Sequence, residues 1–489
     1  MAAKSIKRNY FYNAIYNILI VLTPLITAPY ISRVLKADGV GIVSFAASVI
    51  QYFIIFTDFG TGTHGPREIS YSRDDLEKRS VVFWETFCLR AFNAIIALAV
   101  YFSMIAIFVR SYRIIFLIYA VNIVNVACDV AWLFAGLEEF GKIIFRNILV
   151  RAADIAFVFI FIKSQSDLPM YVCGYSMFAI IGSLVMWRDV PAYVKRVSLK
   201  SIRPFHDIRT ILSLFLPTIA TQVYTVLDKS MLGWLTDGTF ENGYYEQSMK
   251  LSKITLALVT SLAGVMIPRI GYLFEKNDHE QIRAYMYRSY NFIWFMSAAL
   301  CFGLIGISDN FVPWFFGAGY DKVAGLLKIS SFLIIIIGFG VANGGQYLIP
   351  TKRQNLFTYS VMAGAVINFS MNMVLIRLYQ SYGAMFASVV AEIAVTSIQF
   401  WLIRREISIV KAAKSGINYL AAGVIMLAVL MFMSRRLTPS AVHTFTMILT
   451  GAVVYVASLF VLRDKFFLEY SARTLGFLKR KFLRYFVLR

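Results

Sequence analysis

The sequence has 489 residues, 59% hydrophobic and only 15% charged, with a mean hydropathy of +0.67. A soluble globular chain carries roughly 25% charged residues, so a water-soluble enzyme, a disordered chain and a fibrous one are excluded. The formal charge of +21, 48 basic against 27 acidic residues, raises nucleic acid as a partner until its placement is read.

In chain order, apolar runs of about 18 to 25 residues, long enough to cross a bilayer of roughly 30 Å, make about fourteen spans. They fall near 10–33, 41–60, 84–109, 114–136, 143–163, 169–187, 210–235, 244–270, 287–308, 323–349, 356–376, 383–403, 416–434 and 441–462. Helices must carry the crossings, because lipid offers the backbone no hydrogen-bond partner. The fold class is therefore an all-α polytopic membrane protein. The first run lacks a small-residue cleavage pattern and is expected to stay as a helix.

Charge placement sets the orientation. With Lys4, Lys7 and Arg8 inside, about 33 of the 48 basic residues fall on cytoplasmic segments and about nine on external ones. A multi-pass protein of the cytoplasmic membrane with both termini inside is expected. Most of the charge is a topogenic label, so nucleic acid drops out as a partner and membrane lipids replace it. The tail interleaves Phe477, Leu478, Phe482 and Leu483 with Lys479, Arg480, Lys481 and Arg484, the pattern of a surface-lying amphipathic helix. Cys88, Cys128, Cys173 and Cys301 lie inside apolar runs without metal-like spacing, as small core residues do.

The basic segment 188–209 divides six helices from eight. The stretches on either side of it start alike: Pro24, Tyr30, Arg33, a short loop and Gly41; then Pro217, Tyr224, Asp228, Lys229, a short loop and Gly243. Such internal symmetry points to two related lobes. The expected organisation is an N-lobe at 1–190 (helices 1–6), an inter-lobe cytoplasmic loop at 191–209 and a C-lobe at 210–405 (helices 7–12). Two further helices at 406–462 and a basic amphipathic tail at 463–489 complete it.

Ionisable groups inside spans are costly and mark pathways or buried pairs. In the seventh span Gln222, Tyr224, Asp228 and Lys229 share half of the helical wheel, and in the eighth Glu246, Lys250, Lys253, Thr260 and Gly264 make one polar or small stripe. The first span aligns Asn9, Asn13, Tyr16, Asn17, Thr23 and Thr27, and the second Ser44, Ser48, Gln51 and Asp58. Helix packing explains small and hydroxylated residues well. It explains Lys229, Lys250 and Lys253 less well, because dry burial would demand complete pairing, and these are expected to line a cavity. Arg90, Asp129, Arg151 and Asp154 balance in charge and read as a structural network inside the first lobe, with a proton or cation relay as the competing reading. No phosphate loop, catalytic metal set or nucleophile–His–acid set can be assembled, so no catalytic residue and no metal ligand is assigned.

These features resemble the polysaccharide (Wzx-type) flippases of the multidrug/oligosaccharidyl-lipid/polysaccharide exporter superfamily. The resemblance rests on Pro24 to Arg33, Asp38–Gly39–Val40–Gly41, Asp58–Phe59–Gly60 and Arg67, then on Leu227–Asp228–Lys229–Ser230–Met231–Leu232–Gly233, Gly243–Tyr244–Tyr245, Ile267–Pro268–Arg269, and Asn368 and Asn372 ahead of Glu392. It covers about residues 8–405. One departure is Leu35–Lys36, where the family carries leucine–glycine. The resemblance implies a MATE-like, V-shaped bundle of two six-helix lobes plus two helices, working by alternating access. The implied cargo is an undecaprenyl-diphosphate-linked glycan for capsule, O-antigen, exopolysaccharide or teichoic-type polymers. Polymerase and glycosyltransferases of the same pathway are the expected partners.

On that reading Arg33, Lys229, Lys250 and Lys253 contact the anionic headgroup, and Gln222, Tyr224 and Gln247 contact sugars. Asp58 and Asp228 serve coupling or gating. No cofactor is expected, and coupling to H+ or Na+ stays open. The alternatives are a peptidoglycan lipid-precursor flippase, a drug or cation antiporter, and, from another class, a membrane polymerase or ligase for lipid-linked glycans. The lysine excess argues against the antiporter, and the short external loops against the polymerase.

Overall fold

The computed structural model describes residues 6–464 and 466–469, with the side chains of 6–21 and of some positions between 199 and 224 outside it. The polar positions Asn9 to Asn17 of the first span therefore lie outside the described side chains, and most of the expected tail helix lies outside the described residues. Among the described residues all regular structure is helical. The chain forms two compact units, Met1–Gln247 with Phe369–Ala384, and Ser248–Asn368 with Met385–Arg489.

Helices α1 (Ile6–Asp58), α2 (Thr61–Tyr71), α3 (Leu76–Phe108), α4 (Arg113–Cys128), α5 (Ala131–Gly136), α6 (Phe140–Phe161) and α7 (Leu168–Trp187) belong to the first unit, with α8 (Ile208–Leu235). Then α9 (Phe240–Thr260) runs on into the second unit, followed by α10 (Ala263–Glu275), α11 (His279–Phe316), α12 (Asp321–Ser330) and α13 (Phe332–Gly340). A π-helical stretch, Val341–Leu348, leads to α14 (Gln354–Ile403), α15 (Ile409–Lys414), α16 (Ile417–Arg436) and α17 (Ala441–Val461).

Nine helical stretches among the described residues are long and apolar enough to cross a membrane, or ten if the bent pair α9 and α10 counts as one. Every expected run is helical through most of its length. The two numbers differ for physical reasons. Two of the nine stretches are 50 residues long, about twice what a bilayer needs, and each contains a break: Lys36 (φ 58°, ψ 176°) in α1 and Gln380 (φ 54°, ψ −129°) in α14. Past the second break Gly383 lies against the Leu375 carbonyl, leaving no room for a Cβ. In a straight helix those residues would stand about 12 Å apart, so the chain doubles back. Helix α6 is not among the nine; Lys142, Arg146, Arg151 and Asp154 interrupt its apolar run.

The Lys36 backbone sits in a region that side chains with a Cβ occupy at a cost of about 1–3 kcal/mol. This is the position where the resembled family carries glycine. Lys36→Gly is expected to stabilise the protein by about 1 kcal/mol, after the roughly 0.5–1 kcal/mol that glycine's unfolded freedom takes back. Thermal unfolding of the purified protein in detergent measures it.

In the first unit the α3 face Ala94, Ala97, Tyr101 and Ile105, at helical spacing, packs with Leu35, Ile50, Phe116 and Ile123. In the second, Gly306 and Gly423 let α11 and α16 approach, a Cβ at either position meeting Leu430 or Phe302. Small residues serve this purpose where lipid supplies no hydrophobic drive between helices.

The α14–α15 turn is pinned by an ion pair. Arg353 holds Glu406 through two bonds of 2.8 and 2.7 Å, and Tyr347 donates its hydroxyl to the same carboxylate. Burial raises the Glu406 pKa, but the Arg353 and Tyr347 hydrogen bonds outweigh it and hold the carboxyl below its ordinary range. A lowered folded value means that its stabilisation is present above the unfolded pKa and fades as pH falls through the folded one. Wild type should lose stability below about pH 4.5 more steeply than Glu406→Gln, as acid-side thermal unfolding of the two proteins would show.

Candidate functional site

The two stretches that start alike in sequence meet in the structure. A Cβ on Gly41 would lie 1.7 Å from the Thr239 carbonyl oxygen, and one on Gly243 would lie 2.1 Å from the Ala37 carbonyl oxygen. Each glycine therefore faces the carbonyl four residues before the other, a reciprocal contact of the kind a two-fold relation produces. The Thr239 hydroxyl donates to the Asp38 carboxylate beside it. Further along, Gly233 admits the Phe45 ring, and the Ser230 hydroxyl lies within hydrogen-bond distance of the Ser48 hydroxyl at 3.1 Å and the Tyr52 hydroxyl at 3.0 Å. A close-packed polar seam thus joins the second part of α1 to α8 and the start of α9.

The seam holds several residues expected at a substrate. Lys229 pairs with Glu246 at 2.5 Å, and Glu246 also accepts from Ser44 at 3.1 Å. Gln247 is fully buried and donates to Ser32 at 2.9 Å. Asp228 is 8% exposed and accepts from the Tyr245 hydroxyl at 2.5 Å and the Asn372 amide at 2.6 Å. In this state Lys229 and Gln247 hold the seam, and the Asp228 carboxylate is tied to both Tyr245 and Asn372.

Beyond the seam α9 continues with Lys250, half-buried, and Lys253, exposed. At 1.5 Å per residue they stand roughly 6 and 10 Å along the helix from Glu246, on the same stripe. Arg33 and Gln222 are exposed; the Tyr224 side chain lies outside the described residues.

The other charged group separates into two. Arg90, 4% exposed, pairs with Asp58, donates to the Thr61 hydroxyl at 2.6 Å, and reaches Asp129 only through its main-chain carbonyl, at 2.8 Å. Asp58, expected to serve coupling or gating, is thus the charge partner of Arg90. The Asp129 carboxylate pairs instead with Arg146 at 2.8 Å, which also donates to Asn147. Arg151 stands 3.9 Å from Asp154, and both pairs line a polar cavity of about 160 Å³ between α4, α6 and α7. Arg90 is buried but the Asp58 side chain is 32% exposed, so solvent screens the pair and less is at stake than the roughly 3–5 kcal/mol of a fully buried one. Arg90→Ala should lose about 1–3 kcal/mol in thermal unfolding, and a further Asp58→Ala should restore part of it.

Sequence reasoning missed Arg146, which looked like one more basic residue near the inner end of a span, and Tyr245 and Asn372 as partners of Asp228. The pair Asn368 and Asn372 was visible at i, i+4 spacing, but nothing in sequence linked it to the seventh span.

Helical spans that double back, inward ionisable groups and a reciprocal seam between two similar stretches define a polytopic helical bundle of the transporter type. The chain belongs to the polysaccharide biosynthesis protein family, whose model matches residues 6–274, over half of its length. Among curated relatives, the "Putative O-antigen transporter" of Escherichia coli (strain K12) is 22% identical over 409 residues, covering 82% of this chain and 97% of the relative. The "Probable low-salt glycan biosynthesis flippase Agl15" of Haloferax volcanii is 22% identical over 322 residues, covering 63% and 65%. Among solved structures, "Lipid II flippase MurJ, inward closed conformation" superposes with a TM-score of 0.74 at 14% identity, covering 93% of this chain and 99% of that one. An inward-facing multidrug MATE transporter of the MOP superfamily gives 0.62 at 14% identity, covering 80% and 99%. The fold is thus that of the MurJ and MATE bundles, in a multi-pass membrane protein.

Proposed function

We propose that this protein is a flippase that moves an undecaprenyl-diphosphate-linked oligosaccharide across the cytoplasmic membrane by alternating access, for export of a cell-envelope polysaccharide. The observation that carries the proposal is the α9 stripe. Two lysines stand one and two turns beyond a close-packed seam that a transport cycle would open and shut. A diphosphate needs such cations, and charge-assisted bonds inside a span outlast those at a wet surface. The family match and the named transporter and flippase relatives support the same reading.

In the account we favour, both termini face the cytoplasm, 1–190 and 210–405 are the two six-helix lobes, and 406–462 adds two helices. Lys250, Lys253 and Arg33 meet the headgroup, with Gln222 and Tyr224 toward the sugars. Opening the seam releases Lys229 and Gln247 to the cargo. Asp228 is the carboxylate assigned to H+ or Na+ coupling or to gating. Polymerase and glycosyltransferases of the same pathway supply and consume the cargo.

A peptidoglycan lipid precursor is the second reading, favoured by the likeness to a lipid II flippase fold. Purified protein in vesicles carrying either lipid separates the two. Transfer of the polysaccharide precursor with no transfer of the peptidoglycan precursor is expected, and the reverse preference overturns the first reading.

A further inference from the structure

We propose that the second unit carries a binding site for an anionic phospholipid, separate from the cargo path and independent of the function proposed above. A cavity of about 250 Å³ lies between α11, α13, α14 and α15, lined by Trp294, Phe339, Ile393, Phe400, Ile409 and Ala413 among others. Thr396, also in its wall, turns its hydroxyl to the Ile336 carbonyl at 3.1 Å, so the interior is apolar and suits hydrocarbon rather than water. Ile393, Ile409 and Ala413 are exposed, and the cavity therefore opens to the surface, where lipid chains stand.

One side of that opening is α15, and its position is fixed. The Trp294 indole donates to the Ala412 carbonyl at 2.8 Å, and the Ser408 amide donates to the Tyr287 hydroxyl at 3.0 Å. Gly416 lies where a Cβ would strike the Trp294 ring. The helix alternates cavity-facing Ile409, Ala412 and Ala413 with exposed Lys411 and Lys414, and Arg404 and Arg405 precede it, also exposed. The acidic residue of this stretch, Glu406, is held by Arg353. Apolar volume under a rim of four basic side chains matches an acyl chain with a negatively charged headgroup. A neutral lipid would fill the cavity but gain nothing from this positive charge, of which Lys411 lies 4.3 Å from the Tyr287 ring centroid. Trp401, exposed with Arg404 stacked 4.1 Å from its ring centroid, marks the headgroup level, where tryptophan is enriched.

The test is native mass spectrometry of the full-length protein in detergent, titrated with phosphatidylglycerol or phosphatidylethanolamine. Wild type should retain phosphatidylglycerol in preference. Ala413→Trp, which fills the mouth of the cavity, should abolish retention. Lys411→Ala, Lys414→Ala leaves the cavity intact and should reduce the preference about fivefold for each lysine removed. Equal retention of the two lipids by wild type overturns the proposal. So does unchanged retention by a folded Ala413→Trp protein, or an unchanged preference in the double variant. Retention of a lipid-linked glycan instead, lost on Ala413→Trp, would assign the cavity to the cargo and overturn it too.

Discussion

A Lys250→Ala, Lys253→Ala variant inserts and folds as wild type but moves lipid-linked glycan at least a hundredfold more slowly. The magnitude follows from the bonds removed. A hydrogen bond to a charged group contributes about 1.5–3 kcal/mol, and each 1.4 kcal/mol is a factor of ten, so two phosphate contacts account for two orders of magnitude or more. Thermal unfolding of the variant, measured beside transport, separates a loss of headgroup binding from a loss of fold. Restoring positive charge with arginine at both positions should return most of the activity. Polymer yield at matched expression reports the outcome, and wild-type yield from the alanine variant would remove the cationic stripe from the mechanism.

The second expected result concerns the seam. Gly41→Val cannot be accommodated where a Cβ alone would stand 1.7 Å from the Thr239 carbonyl oxygen, because backbone, unlike a side-chain end, cannot swing aside. Overpacking of this kind costs about 1–3 kcal/mol, here charged mainly to the state in which the seam is shut. The population of that state should fall about five- to a hundredfold, and transport with it. Gly243→Val should behave alike, since its Cβ would meet the Ala37 carbonyl at 2.1 Å. Cysteines placed on Ser44 and Glu246, whose side chains bond at 3.1 Å, should crosslink readily in wild-type background and poorly beside either valine. Undiminished crosslinking would show that the seam closes regardless and that the reciprocal glycine contact is incidental.

Much of this was legible in the sequence, for identifiable reasons. Apolar runs of bilayer length fix helices, since a backbone in lipid is satisfied only by a helix or a closed barrel and the alternating pattern of barrel strands is absent. Gly41 and Gly243 were visible as matching leaders of matching stretches, and their reciprocal contact explains why both are glycine. The departure at Lys36 was visible too, and the structure shows it standing in a backbone conformation that favours glycine. Partner choice was not legible. Balanced charge in neighbouring spans placed Arg90 and Asp129 in one network, but which oxygen an arginine finds depends on neighbouring helices. Arg90 takes the Asp58 carboxylate and leaves Asp129 to Arg146. Nor could phase tell a lysine held in a closed seam from one on an exposed stripe. Lys229 and Lys253 looked equivalent in sequence; the structure puts Lys229 in the seam against Glu246 and Lys253 at an exposed position of α9.

The most direct measurement of the central claim is the identity of the lipid that accumulates on the cytoplasmic leaflet when the protein is depleted. The account predicts an undecaprenyl-diphosphate-linked oligosaccharide, complete in its repeat unit and inaccessible to external glycosidase. Accumulation of a peptidoglycan precursor, or of no glycolipid at all, would contradict it.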